Sequence, residues 1–233
     1  MKRYATSFTF SVFLYFTLGT FSVTIGALKQ VLEMSVGFLA MPYLERKQWL
    51  RFYLLVFIAM TLHTYALVYA FLPLVRLRPW RIFTYVFLAA LVVLMMNFEE
   101  TISSFMDQAN ELGKTLEDYE VFHGHGMNLF RVAVYAVVPL LSFVFQHWLN
   151  REYDVRHSIL IHMSLVSLAF MVMGTQGGAN MFGRMAHYFE IGIICGLPWI
   201  LEKVFTPKSN RLISGIAAAC FFCFFAYANG AMG

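Results

Sequence analysis

Asn180-Met-Phe-Gly-Arg184-Met-Ala-His187-Tyr188-Phe-Glu190 runs straight on into Ile191-Gly-Ile-Ile-Cys195-Gly-Leu-Pro198-Trp-Ile-Leu201. A glycine-rich turn, Gly174-Thr-Gln-Gly-Gly178, precedes it. An arginine, a histidine, a tyrosine and a glutamate thus stand at the head of an apolar run, and 185–201 reads as a membrane helix. Ionisable groups inside such a helix are costly and are either paired or used. What these four serve depends on which side of the membrane they face.

The rest of the chain has the same character. Its 233 residues are 60% hydrophobic and 13% charged, against about 25% charged in soluble domains. Several apolar runs reach membrane-spanning length. The expectation is an all-α polytopic bundle, one membrane domain over 1–233, and not a soluble protein. The net charge of +4 is no nucleic-acid signal, because the basic residues punctuate short loops as orientation signals do. Cys220 and Cys223 form a C-x-x-C pattern inside an apolar run, where redox chemistry lacks its exposed, electropositive setting. No metal-ligand spacing is present, and no cofactor is expected.

Spans are expected at about 7–23, 25–43, 82–98, 128–148, 158–173, 185–201 and 212–228. The basic groups are Lys2/Arg3, Arg46/Lys47/Arg51, Arg76/Arg78/Arg81, Arg151/Arg156 and Lys203/Lys208/Arg211. All fall on one, cytoplasmic, side if the run 50–75 enters and leaves there as a re-entrant hairpin with His63 near its tip. The alternative is a single tilted span of that run, roughly 39 Å long at helical rise. The segment 99–126 holds seven acidic residues and one lysine, so it is expected outside, part of it as an amphipathic surface helix. This gives seven spans plus the hairpin, the N-terminus inside.

In that topology Lys29, Arg131 and Arg184 lie at the outer ends of three different spans. Three cations at one depth suit an anionic group at the interface, and diphosphate is the commonest such group on a lipid carrier. Arginine offers a planar fork to phosphate oxygens, lysine a point charge. The plainer reading is snorkelling to headgroups. Gln30, His187 and Tyr188 lie near these cations in sequence, and Arg184 and Tyr188 are spaced to share a helix face. Glu190, three residues after His187, suits a hydrogen-bonded pair with it. It reads either as a general base or as the partner of a nearby cation. Glu33, four after Lys29, suits an ion pair with it. His63 reads as a buried, hydrogen-bonded histidine or, at a hairpin tip, as an acid or base facing the site. His123 and His125 read as ligand contacts or as surface residues.

These residues carry a resemblance. Gly26-Ala-Leu-Lys-Gln-Val-Leu-Glu-Met-Ser35 with Tyr43-Leu-Glu-Arg-Lys47, Ile58-Ala-Met-Thr-Leu-His-Thr-Tyr-Ala-Leu67, and Asn180-x-x-x-Arg184-x-x-x-Tyr188-Phe189 with Leu197-Pro198 resemble, in order and spacing, the EpsG family, related to Wzy-type polysaccharide polymerases. Lys29 stands where that family usually has arginine. The resemblance implies a GT-C-like helical fold. It also implies a glycosyltransferase of the bacterial inner membrane that polymerises undecaprenyl-diphosphate-linked oligosaccharides at the outer face, in exopolysaccharide, capsule or O-antigen synthesis. No nucleotide-sugar donor and no metal are implied. Arg184, His63 and Glu190 are then the catalytic candidates, and Lys29, Gln30, Arg131, Tyr188 and His187 the substrate contacts. Partners are the lipid-linked glycan, membrane lipids and other polysaccharide-assembly proteins. Family members carry further spans before the Leu-Arg-Gln opening, so the chain is expected to lack N-terminal spans. Alternatives are a membrane O-acyltransferase of surface glycans, a glycan transporter or flippase component, and an inactive truncated copy.

Overall fold

The expected spans 7–23, 128–148 and 185–201 are each interrupted in the structure, and the run 50–75 doubles back. The computed structural model describes residues 2–62, 64–97 and 126–230, and every element among them is helical. The run 7–23 is not one straight span. It forms α1 (Phe8–Thr17) and α2 (Thr20–Gly26), bent by 59°. Gly19 joins them at φ 90°, a left-handed conformation that a residue with a Cβ adopts only at a cost. Next comes α3 (Leu28–Glu45).

The run 50–75 forms α4 (Trp49–Leu62) and a 3-10 helix (Thr64–Arg76). The Arg76 guanidinium lies over the Trp49 ring, 5.4 Å from its centroid, and donates to the Glu45 carbonyl at 3.1 Å. The chain therefore returns to the end from which it set out, and the pair is a hairpin. His63, between the arms, lies outside the described residues, as do 98–125 with His123 and His125 and nearly all of the expected external segment 99–126.

The remaining helices are α5 (Ile82–Met96), α6 (Leu129–Val144), the single-turn α7 (Gln146–Leu149), α8 (Val155–Met173), α9 (Ala179–His187), α10 (Ile191–Val204) and α11 (Pro207–Ala228). Their starts are set locally. The Asn128 side chain accepts the Phe130 N–H at 2.8 Å, and Asp154 accepts that of His157 at 2.8 Å. Thr206 caps α11 with Pro207 in its first turn. Each device satisfies or removes a donor that a helix start leaves unpaired.

The core is α8 against α10. Every residue from Ile191 to Leu201 is buried. Gly192 is what lets the two backbones meet: a Cβ there would stand 2.4 Å from the Leu160 carbonyl oxygen and 2.5 Å from the Ser164 nitrogen. The hairpin, α6 and α9 pack around α8. Among the described residues two helices are long and apolar enough to cross a membrane, α8 and α11, and the bent pair α1–α2 is a third candidate. The stretches Trp49–Leu62, Ala66–Arg76, Ile82–Val93 and Leu129–Val144 are apolar but shorter.

The bundle has two chemically different ends. At one, Arg3 pairs with Glu45 at 2.8 Å and Arg156 approaches the same carboxylate at 3.9 Å. The Tyr4 hydroxyl also donates to Glu45, and burial together with that bond pushes its phenol well above the usual range. Lys203 pairs with Glu152 at 2.8 Å. Arg3, Arg76, Arg156 and Lys203, from four of the basic groups, thus gather together. At the other end the Met127 N–H donates to the Gly174 carbonyl at 2.7 Å, and Asn128 donates to the Tyr227 hydroxyl at 2.7 Å.

Candidate active site

The break between α9 and α10 is the centre of the polar site. The run 185–201 is not a continuous α-helix. The N–H groups of Tyr188, Phe189 and Glu190 donate three residues back, to the carbonyls of Met185, Ala186 and His187, at 3.3, 3.0 and 3.3 Å. Such 3-10 tightening leaves carbonyls that an α-helix would have used. An α-helical Tyr188 N–H would have gone to Arg184; instead the Arg184 carbonyl accepts from Gln30 Nε2 at 3.0 Å. The Gly192 N–H goes to Phe189, and the Tyr188 carbonyl accepts from the Tyr69 hydroxyl at 3.3 Å. Ser167 Oγ donates to the Ala186 carbonyl at 2.9 Å. Side chains from α3, the 3-10 helix and α8 thus satisfy the break, as apolar surroundings require.

The break turns side chains of one stretch toward different walls. Tyr188 points into the core and donates to Glu33 Oε2 at 2.6 Å. Glu33 is fully buried on α3, while Lys29 is exposed. The expected Lys29–Glu33 ion pair is therefore replaced by a carboxylate–tyrosine bond, because the helix presents the two side chains to different surroundings. Arg184, four residues before the buried Tyr188, is likewise exposed, since the helix tightens between them.

Glu190 is buried and receives three polar groups. Thr20 Oγ1 from α2 donates to Oε2 at 2.6 Å, and the Tyr135 hydroxyl from α6 donates to Oε1. His187 Nδ1 lies 2.7 Å from Oε1, so the pair read from the spacing is present. Arg131, one turn before Tyr135 on α6, is half-buried and close enough for its charge to act on both His187 and Glu190. His187 and Glu190 also line a cavity of about 270 Å³ between α1, α2, α3 and α10, with Tyr15, Thr20, Thr24 and Ser35 among its walls.

Seven of the eight residues proposed from sequence are described, and they fall in one region. Gln30 ties the start of α3 to Arg184, and Tyr188, His187 and Glu190 follow Arg184 directly. Arg131 enters from α6. The charged groups of Lys29, Arg131 and Arg184 have no hydrogen-bonded or ion-paired partner among the described residues. Gln30 spends its amide N–H on the backbone, which makes it a support of the break. Thr20 and Tyr135 were not singled out from the sequence. Tyr135 had a signal, since it stands four residues after Arg131 on the same face. Thr20 had none, lying inside an apolar run. Among the described residues no cluster of His, Cys, Asp and Glu is arranged to hold a metal ion, and Cys220 and Cys223 are free thiols.

Fold and site define a class: a helical membrane protein with a buried carboxylate–imidazole pair at one end and, on the neighbouring segments, cations that no described residue pairs. The EpsG family model matches residues 1–231, and the chain belongs to that family. Membership implies a membrane polysaccharide polymerase of glycosyltransferase type. No curated protein and no solved structure matches the chain.

Proposed function

We propose that the protein extends a surface glycan from sugars carried on undecaprenyl diphosphate, at the outer face of the bacterial inner membrane, within a seven-span, GT-C-like fold. The observation that carries this reading is the buried His187–Glu190 pair on the stretch that directly follows Arg184, with the exposed Lys29 and Arg184 on segments joined through Gln30, and Arg131 on α6, all three unpaired by described residues. A diphosphate leaving a sugar gains negative charge, and positioned cations lower the cost of that charge. Arg184 and Arg131 hold the diphosphate, with Lys29 assisting. The lipid tail has an apolar crevice to occupy, about 270 Å³ between the 3-10 helix, α5 and α8 and walled by Phe71, Phe83, Phe87 and Phe189. Exopolysaccharide, capsule and O-antigen are the products this chemistry serves, alongside other assembly proteins.

The test is Arg184→Ala in cells that depend on this chain for polymer. Arg184 is exposed and its side chain holds no described element, so the protein should accumulate as usual. Chain extension should fall by about 100-fold or more, the scale of losing one oxyanion-type contact. Polymer of normal length would sink the idea. Full-length chains that lack acetyl groups would point instead to O-acyl transfer.

A further inference from the structure

His187 and Glu190 are hydrogen-bonded through Nδ1 and Oε1 at 2.7 Å, and the surroundings of the pair bear on which of them can take a proton from a substrate. Every hydrogen-bonding partner of Glu190 arrives as a donor. The hydroxyls of Thr20 and Tyr135 donate to it. A carboxylate so surrounded accepts from His187 Nδ1 as well. That fixes the ring's tautomer and orientation, as a carboxylate behind a histidine does. With Glu190 ionised, Nδ1 carries the proton and Nε2 keeps its lone pair. Among the described residues Nε2 has no hydrogen-bond partner, and His187 is one of the residues lining the cavity. Glu190 lines the cavity as well, but both of its oxygens already have hydrogen-bond partners.

We propose that His187 is the general base of the transfer, that Glu190 is its positioning residue, and that the cavity between α1, α2, α3 and α10 takes the acceptor sugar. This rests on the polymerase reading above. In the step, the acceptor hydroxyl oxygen forms a bond to the anomeric carbon of the donor sugar. The bond from that carbon to the diphosphate oxygen breaks, and its electron pair leaves with the diphosphate. The hydroxyl proton passes to His187 Nε2, and the imidazolium is stabilised by the Glu190 carboxylate at 2.7 Å. A cavity of about 270 Å³ has room for one sugar residue. Tyr15 offers a ring for its apolar face, and the Ser35 hydroxyl, which donates to the Val31 carbonyl at 2.8 Å, can accept from a sugar hydroxyl. Thr20 and Tyr135 act one step further back, by holding Glu190.

The experiment uses membranes of the producing cell, stripped of any other copy, and follows extension of the cell's own lipid-linked glycan. His187→Ala, Glu190→Gln, Glu190→Asp and Arg184→Ala are compared with the wild type at matched protein level. His187→Ala should extend glycan at least about 100-fold more slowly, the contribution typical of a positioned base, and added imidazole should restore part of the rate. Glu190→Gln should lose about as much, while Glu190→Asp, which keeps the carboxylate, should stay within about tenfold of wild type. A His187→Ala protein that extends glycan at the wild-type rate overturns the proposal. If His187→Ala does not accumulate, the Glu190 pair decides: Gln matching wild type, or Asp as slow as Gln, overturns it. Loss in Arg184→Ala with full activity in His187→Ala leaves the polymerase reading standing and removes only the base. No extension by the wild type, with none lost on deleting the chain, removes both.

Discussion

At the residue scale, Gly192 makes the strictest demand in the chain. Added side-chain atoms there would meet backbone of α8, at 2.4 and 2.5 Å, and backbone within a helix cannot give way as a side-chain tip does. Gly196, one turn on, would bring its Cβ only to side-chain atoms at 3.4 and 3.7 Å. Gly192→Ala should therefore cost about 3 kcal/mol, at the upper end of overpacking losses, and Gly196→Ala well under about 1 kcal/mol. Thermal unfolding of the two purified variants in detergent measures the contrast; equal midpoints would contradict the packing described. Neither glycine stands out in the sequence, because both sit in one apolar run and their neighbours come from α8 and α6. The pairs that were legible are the local ones. His187 and Glu190 are three apart and do bond. Lys29 and Glu33 are four apart and do not, since burial separates them. Spacing names which side chains share a face, while the environment of that face decides whether they meet.

At the element scale, the breaks matter more than the helices. An apolar run reads alike whether it is one span or two pieces, so hydropathy concealed the bend in 7–23 and the tightening at Tyr188–Glu190. The groups that make these breaks tolerable come from far away in sequence: Gln30, Tyr69 and Ser167 serve carbonyls more than fifteen residues distant. The bend at Gly19 serves the site directly, because it starts α2 with Thr20 beside Glu190. A Cβ at Gly19 would find open space, so Gly19→Ala exposes the backbone cost alone. That cost is about 1–2 kcal/mol for a left-handed residue, and it should appear as a lowered thermal midpoint. Relaxation of the bend would also draw Thr20 away from Glu190. Gly215→Ala, in equally open space on α11 but at an ordinary helical φ, should not lower the midpoint. If the two variants behave alike, the bend is not held by Gly19.

At the scale of the whole molecule, the basic loops forecast a two-ended bundle, and the structure gathers Arg3, Arg76, Arg156 and Lys203 at the end away from the site. Exposed ion pairs contribute little each, about 0–1 kcal/mol, so this clustering does more for orientation than for stability. Lys and Arg in short loops stay on the cytoplasmic side during insertion. The turn 174–178, next to α9 and the site, should then face outward. Gln176 is exposed in that turn, and Ser209 is exposed near the start of α11 at the basic end. In a background with Cys220 and Cys223 changed to serine, a membrane-impermeant thiol reagent applied to spheroplasts should label Gln176→Cys and spare Ser209→Cys. Permeabilisation should expose both. The buried Cys195 stays silent in either case. The reverse pattern would put the cations on the cytoplasmic side, where they could not act on a glycan extended at the outer face. An outward-facing turn, combined with loss of extension in Arg184→Ala, ties the charge asymmetry of the loops to the side on which the chemistry occurs.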